Sequence, residues 1–373
     1  MKVILYDTAQ IHQAFYPLTQ ARALVSFRSG ILTLAEKWGK HLNCELYIQT
    51  QGYLQHLYPK ENKADLYIRA DILPSRKILE KIKLLKSNEF ITYKEQKIAY
   101  VGNGEGLELK IEKCIQVNRI WDLLAVNATQ IESDIKVLKL KPSTGDAKNT
   151  TFYQPEDIYI SPNASIKSAT INAEQGSIYI GNNVTIDEGA ILKGPLAILD
   201  GSHITMGAKL RSANTIGPNS VIGGELKNTI IQGYSNKAHE GYIGDTYIGE
   251  WVNLGAGTNG SNLKNNYSNI RMWDTLSQDY IDSGKWKLGA VIGDYVHTGI
   301  TTMLNSGTTI GFGANIFGTG YQDKHIPNFT WGISEKYDLE KFLKMVKKQM
   351  LLKERSLTKE NKKLIKDLYV ENS

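Results

Sequence analysis

From Ile180 onward an aliphatic residue stands at every sixth position, at Ile180, Ile186, Leu192, Ile198, Ile204, Leu210, Ile216 and Ile222. The register resumes at Ile248 and Leu254, then at Ile292, Leu304, Ile310 and Ile316, with small or polar residues between. A period of six fits neither an α-helix nor the alternation of a hairpin sheet, but it fits a coil with three short flat faces. Each anchor is expected to point into the prism. The glycine that follows many of them, as at Gly181, Gly217, Gly223, Gly249, Gly293 and Gly311, is expected to permit the corner turn. Coils stacked about 4.8 Å apart hydrogen-bond as parallel strands and share one continuous core. The pattern therefore predicts a parallel β-helix over residues 146–332.

The rest of the chain reads differently. Across residues 1–145 the apolar runs Val3–Tyr6, Glu45–Ile48 and Asp65–Ile68 alternate with helical patterns over Ile31–Leu42 and Arg76–Ser87, which predicts an α/β layer domain. The stretch KPSTGDAKNTTF after Leu140 has linker composition. Residues 256–289 interrupt the coil with GTNGSNLKNNYS and two tryptophans, and are expected to form a functional loop reaching a neighbouring subunit. Residues 333–373 predict one or two amphipathic helices as a tail.

Composition narrows the classes. At 373 residues the chain exceeds the size of one core, and 41% hydrophobic with 22% charged residues marks a folded protein. No run approaches the 18 or so apolar residues of a membrane span, and MKVILYDTAQ lacks a signal-peptide core, so a cytoplasmic protein with no membrane partner is expected. Cys44 and Cys114 have no metal-ligand spacing, which fits a reducing compartment. Much of the +6 net charge falls between Lys336 and Lys366. A solvated helix face is the first reading there, and a nucleotide or coenzyme phosphate partner the second. No nucleic-acid motif accompanies the charge.

The stretch from Glu225 to Thr258, ELKNTIIQGYSNKAHEGYIGDTYIGEWVNLGAGT, carries a resemblance. It is similar to the acetyltransferase half of the bifunctional N-acetylglucosamine-1-phosphate uridyltransferase and glucosamine-1-phosphate acetyltransferase family, in particular its shorter Bacteroidetes version. The likeness covers about residues 160–320 and extends weakly into the first domain. It implies a left-handed β-helix, a homotrimer, and acetyl-CoA as acyl donor. Within KAHEGYIGD it implies His239 as catalytic base, with Glu225 as its acidic neighbour. Tyr242 and Asn253 match residues that hold the sugar phosphate and acceptor, Lys227 matches a phosphate-binding lysine, and Asn262 matches an active-site asparagine. The family's loop lysine does not align, since Ser268 stands there, and Lys264 is the residue available to replace it.

These residue types suit the chemistry. Acyl transfer to an amine needs a proton acceptor with a pKa near neutrality, which imidazole supplies, and a carboxylate can fix its tautomer. An amide donor at Asn262 can stabilise the developing oxyanion. A zinc site is a rival within the fold, because His203 and His239 lie two coils apart, but zinc catalysis wants three ligands and Gly244 stands where a further histidine is expected. In the first domain the segment after VILYD resembles the opening of sugar nucleotidyltransferases, keeping Pro17-Leu18-Thr19, Arg22 and Arg28 but lacking the glycines of the phosphate loop, and the resemblance implies these arginines as nucleotide ligands. LYIRADILPS resembles a segment with a magnesium aspartate, implying Mg²⁺ at Asp71. The expected function is N-acetylation of an amino-sugar phosphate, glucosamine-1-phosphate first, coupled to nucleotidyl transfer from UTP or dTTP in cell-envelope synthesis. Two alternatives remain: a sugar-1-phosphate nucleotidyltransferase with the coil as scaffold, and a non-enzymatic trimeric scaffold.

Overall fold

The computed structural model describes residues 1–371. The six-residue register closes into a three-sided parallel β-helix. Its first face is a nine-stranded sheet running from Ile158–Ile160 to His325–Ile326. The second runs from Ser165–Ile166 to Asn236–Lys237, then through single bridges from Asn236 to Asn253 to His297. The third runs from Thr151–Tyr153 to Tyr242–Gly244, and Asn259–Gly260 pairs with Met303–Leu304 beyond it. The coil thus begins inside the stretch with linker composition, where Thr151 already pairs with Thr170. Each of the predicted aliphatic anchors is at most 3% exposed. At about 1.5–3 kcal/mol for each buried side chain, this column is the main source of the prism's stability.

The glycine after each anchor does not turn the corner. A Cβ on Gly217 would lie 2.2 Å from the carbonyl oxygen of Gln232 on the next coil, so the residue is there for close stacking. The left-handed turn comes two residues later, at Asn183, Asn219, Trp251 and Tyr295, all with positive φ. Asparagine adopts that conformation readily, whereas Trp and Tyr pay about 1–2 kcal/mol for it. Stacking offsets the cost, with Tyr234 on Trp251 at 4.5 Å and Trp251 on Tyr295 at 6.3 Å between ring centroids. The tail helices Leu339–Leu351 and Lys359–Glu371 close over this aromatic ladder with Phe342, Val346, Met350 and Leu364.

The first domain is built on a six-stranded sheet whose strands Glu45–Gln49, Lys2–Tyr6 and Leu66–Arg69 lie side by side in parallel. Helix Leu34–Leu42 starts three residues later than its hydrophobic pattern, because Thr33 and Glu36 form a reciprocal capping box. Helix Ile120–Val137, which sequence periodicity does not reveal, lies between the domains. It packs Ile131 and Ile135 against Ala197 and Leu199 of the coil, and Asn127 donates to the carbonyl of Ala213.

The inserted segment carries an antiparallel hairpin, Arg271–Asp274 with Asp279–Asp282. Ile270 and Met272 alternate inward and join Val117 and Leu123 in the first domain's core, while Asp274 meets Arg119 at 3.4 Å. The inward side of the hairpin is thus packed within the same chain, while Tyr267 and Trp286 of the inserted segment stay 69% and 54% exposed.

Candidate active site

His239 stands on the corner between the second and third faces, in the turn joining Asn236–Lys237 to Tyr242–Gly244, and it is exposed. Its imidazole has no hydrogen-bond partner among the described residues. On the third face beside it, the Asn262 amide donates to the Tyr242 hydroxyl at 3.1 Å and to Asp245 at 2.5 Å. Asn228 donates to the other oxygen of Asp245 at 2.7 Å, and the Asp245 amide is held by the Lys227 carbonyl at 2.9 Å. Burial, with Asp245 adding to it, raises the Tyr242 phenol, so it stays a protonated donor at neutral pH. Strand register sets Glu225 opposite Tyr242 and Lys227 opposite Gly244 on adjacent coils. Tyr242, Asn262, Lys227 and Glu225 therefore share one face next to His239.

Glu225 is paired with Arg211 at 3.1 Å and not with the imidazole, so it does not orient His239 within one chain. Asn253 is on the second face, bridged to Asn236 and His297, with the corner between it and Tyr242. Lys264 reaches over its own loop to the Ser268 hydroxyl at 3.3 Å and the Asn269 carbonyl at 2.6 Å. The zinc arrangement does not form. His203 is paired with Asp187 at 2.6 Å, and the Tyr242 hydroxyl occupies the space beside Gly244, where a Cβ would fall 2.2 Å from it.

Arg22 and Arg28, the expected nucleotide ligands, are both engaged by the coil. Arg22 is buried, donating to Asp294 at 2.5 Å and meeting Glu250 at 3.1 Å, both on the coil. Burial raises the Asp294 carboxyl to about 6 even with Arg22 pulling it down. Arg28 donates from Nε to the Gln232 carbonyl at 3.3 Å, and its amide donates to the Tyr247 hydroxyl at 3.0 Å. The segment expected to surround a phosphate instead fastens the first domain to the β-helix.

A cavity of about 380 Å³ lies near the carboxyl ends of the neighbouring parallel strands Lys2–Tyr6 and Leu66–Arg69, lined by Thr8, Arg69, Asp71, Gln96 and Arg119 among others. That is the customary place for a ligand in a parallel sheet. Asp71 is gripped by Arg69 at 2.6 and 2.8 Å and by Gln116 at 2.9 Å, so both its oxygens are taken. Among the described residues no three His, Cys, Asp or Glu side chains converge on one point. With both oxygens held by Arg69 and Gln116, Asp71 does not fit a magnesium ion, and Arg119 beside the pair is itself met by Asp274 at 3.4 Å.

Sequence reasoning passed over Asp245 and Asn228, which brace Asn262, and Lys237, buried inside the prism. The aspartate sits in the KAHEGYIGD motif itself, so spacing could have found it. Asn228 carries no such signal.

Residues 3–142 match the family model described as sugar nucleotidyl transferase. The bifunctional protein GlmU of Thermodesulfovibrio yellowstonii is 31% identical over 37% of this chain and 34% of its own length. The bifunctional sugar-1-phosphate nucleotidylyltransferase/acetyltransferase of Sulfurisphaera tokodaii is 34% identical over 37% of each. A mutant of AntD, an N-acyltransferase from Bacillus cereus solved with dTDP and coenzyme A, is 16% identical over 60% of this chain and 97% of that one, with a TM-score of 0.23. The chain spans about a third of the length of these two curated relatives. Among the described residues no helix is long and apolar enough to cross a membrane. Through residues 3–142 the chain is thus similar to the sugar nucleotidyl transferase family, and over 37% of its length it is similar to the bifunctional nucleotidylyltransferase/acetyltransferases.

Proposed function

We propose that the protein is a cytoplasmic, trimeric N-acetyltransferase that moves the acetyl group of acetyl-CoA to the amine of an amino-sugar phosphate, glucosamine-1-phosphate first among the candidates. The observation that carries the reading is an exposed, unpartnered imidazole, His239, on a β-helix corner beside a braced Asn262–Tyr242 pair. His239 takes the proton as the amine attacks the thioester carbonyl. The carbonyl oxygen gains negative charge that a backbone amide can stabilise, since both Asn262 amide hydrogens are given to Tyr242 and Asp245, and the C–S bond then breaks to release the coenzyme thiolate, which is protonated. Lys227 supplies charge for the sugar phosphate.

Two features support a trimer. The corner that carries His239 also displays Met206, Ile300 and Ile333, which are 72%, 74% and 76% exposed. Large aliphatic residues so exposed along one edge, on either side of the base, suit burial against a second copy. A second copy would also bring an Asn253 face against a Tyr242 face, which the single chain keeps apart.

The scaffold reading of the coil is answered by the same assay. Thiol release from acetyl-CoA with glucosamine-1-phosphate supports acyl transfer. Nucleotide binding with no coenzyme A binding would favour the nucleotidyltransferase alternative.

A further inference from the structure

A cavity of about 200 Å³ lies where three parts of the chain meet, against the last strands of the first face of the β-helix. The first domain lends it Gln20, two residues before Arg22, the inserted hairpin lends Trp273 and Gln278, and the last coils lend Thr309 and His325. It shares no lining residue with the Asp71 cavity and none with the His239 corner. Two of its lining groups are incomplete. Gln20 and Thr309 are each 6% exposed, and neither the Gln20 Oε1 nor the Thr309 Oγ1 has a hydrogen-bond partner. Among the described residues only the Arg22 Nη1 shares that condition, so two of three orphaned side-chain atoms border one small cavity. A buried polar atom without a partner costs stability, and packing alone gains nothing from placing two in one spot.

The rest of the wall is aromatic and uncharged. Trp273 stacks on His325 with ring centroids 4.1 Å apart and planes 8° from parallel. Burial pushes the His325 imidazole down, so it carries no charge at neutral pH. Among the described residues no Lys, Arg, Asp or Glu lines the cavity, so a phosphate or carboxylate would enter without a counter-charge. The space is smaller than the roughly 300–1,000 Å³ of a drug-sized pocket, and it suits a single ring. The Gln20 carbonyl only accepts and therefore selects an occupant with an N–H or O–H, while the Thr309 hydroxyl gives or takes. A flat, uncharged ring with donors and acceptors along its edge meets all of these terms, and aromatic side chains hold such rings by stacking. Gln278 at the mouth is exposed, which leaves a way out for a substituent on the ring.

We propose that this cavity binds the base of a nucleoside, with an N–H of the base given to the Gln20 carbonyl, its edge at the Thr309 hydroxyl and its ring against the Trp273–His325 pair. An occupant there touches the first domain, the coil and the hairpin at once. The hairpin belongs to the inserted segment that also carries Asn262, so the site sits on the connection between the first domain and the acyl-transfer corner.

The test is calorimetric titration with uridine, thymidine, adenosine and N-acetylglucosamine, all uncharged, on wild type, Gln20→Leu and Thr309→Val. Each substitution keeps the side chain near its size and removes the orphaned atom, so both variants should melt at or above the wild-type temperature without ligand. Wild type should bind at least one nucleoside, with an affinity that added salt does not change. Gln20→Leu should weaken that binding about fivefold, and Thr309→Val should weaken it less. Trp273→Leu, on the hairpin, should weaken it about tenfold and serves if either core variant melts low. Wild type that binds none of the nucleosides overturns the inference, whether or not it binds the sugar. Nucleoside binding that Gln20→Leu and Trp273→Leu both leave within twofold belongs to another cavity and overturns it as well.

Discussion

The ammonium of Lys237 donates to the backbone carbonyl of His239 at 2.8 Å from inside the prism. Strand register sets Lys237 in line with Ile186, Ile204 and Ile222, so a cation stands where the column otherwise has isoleucine. Its other partner is the Gly223 carbonyl at 3.2 Å, and among the described residues no carboxylate is paired with it. Desolvation pushes its pKa down to about 8, with Glu240 opposing weakly.

A lysine lowered from 10.5 to about 8 costs the fold roughly 3 kcal/mol at neutral pH. The sign follows from proton binding. Between about pH 8 and 10.5 the unfolded chain holds this proton and the folded one does not, so the penalty fades as pH rises through that window. Lys237→Met should therefore be about 1–3 kcal/mol more stable than wild type at pH 7 by urea denaturation, with the gap closing toward pH 10. A gap that does not change with pH would mean the ammonium is not desolvated.

Arg22 is the clamp between domains. Arg22→Met leaves the buried Asp294 carboxylate without its cation and should cost about 3–5 kcal/mol in the same measurement. Arg22→Met with Asp294→Leu should recover much of the loss, since it removes both charges.

The first domain should be a weak nucleotidyltransferase. Its candidate phosphate-binding arginines are spent on the coil, and Asp71 is spent on Arg69. Pyrophosphate release from UTP or dTTP with a sugar-1-phosphate should stay near background with or without magnesium. Robust magnesium-dependent release that Asp71→Asn abolishes would contradict this.

Ile300 lies on the apolar edge beside His239. Ile300→Lys should break the assembly, since a buried interface charge costs about 2 kcal/mol or more per copy. Light scattering at micromolar concentration should read a trimer for wild type and smaller species for the variant. A monomeric wild type would remove the trimer from the account.

The β-helix was legible because its anchors repeat at a fixed interval that no helix or hairpin reproduces. Lys237 escaped notice because it follows Ile222 by 15 residues and not 18, so a shortened coil moved it off the count. Helix Ile120–Val137 left little signature because it is covered by the first domain on one side and the coil on the other, which removes the polar stripe that marks a surface helix. Arg22 looked like a phosphate ligand because its partner Asp294 is 272 residues away, and nothing local announces such a pairing. The structure brings Tyr242 and Asn262 into contact, with Lys227 on the adjoining coil, but the motif could not say that Asn253 faces the other side of the corner or that Glu225 is held by Arg211.

The most direct test is thiol release from acetyl-CoA with glucosamine-1-phosphate at saturating substrates, comparing wild type with His239→Ala. The imidazole is exposed and packs no core, so the variant should keep the wild-type melting temperature. Loss of a positioned base should lower kcat about 10²- to 10⁴-fold with little change in KM, because the proton moves in the transition state. An active wild type whose alanine variant keeps half its turnover or more would show that His239 is not the base.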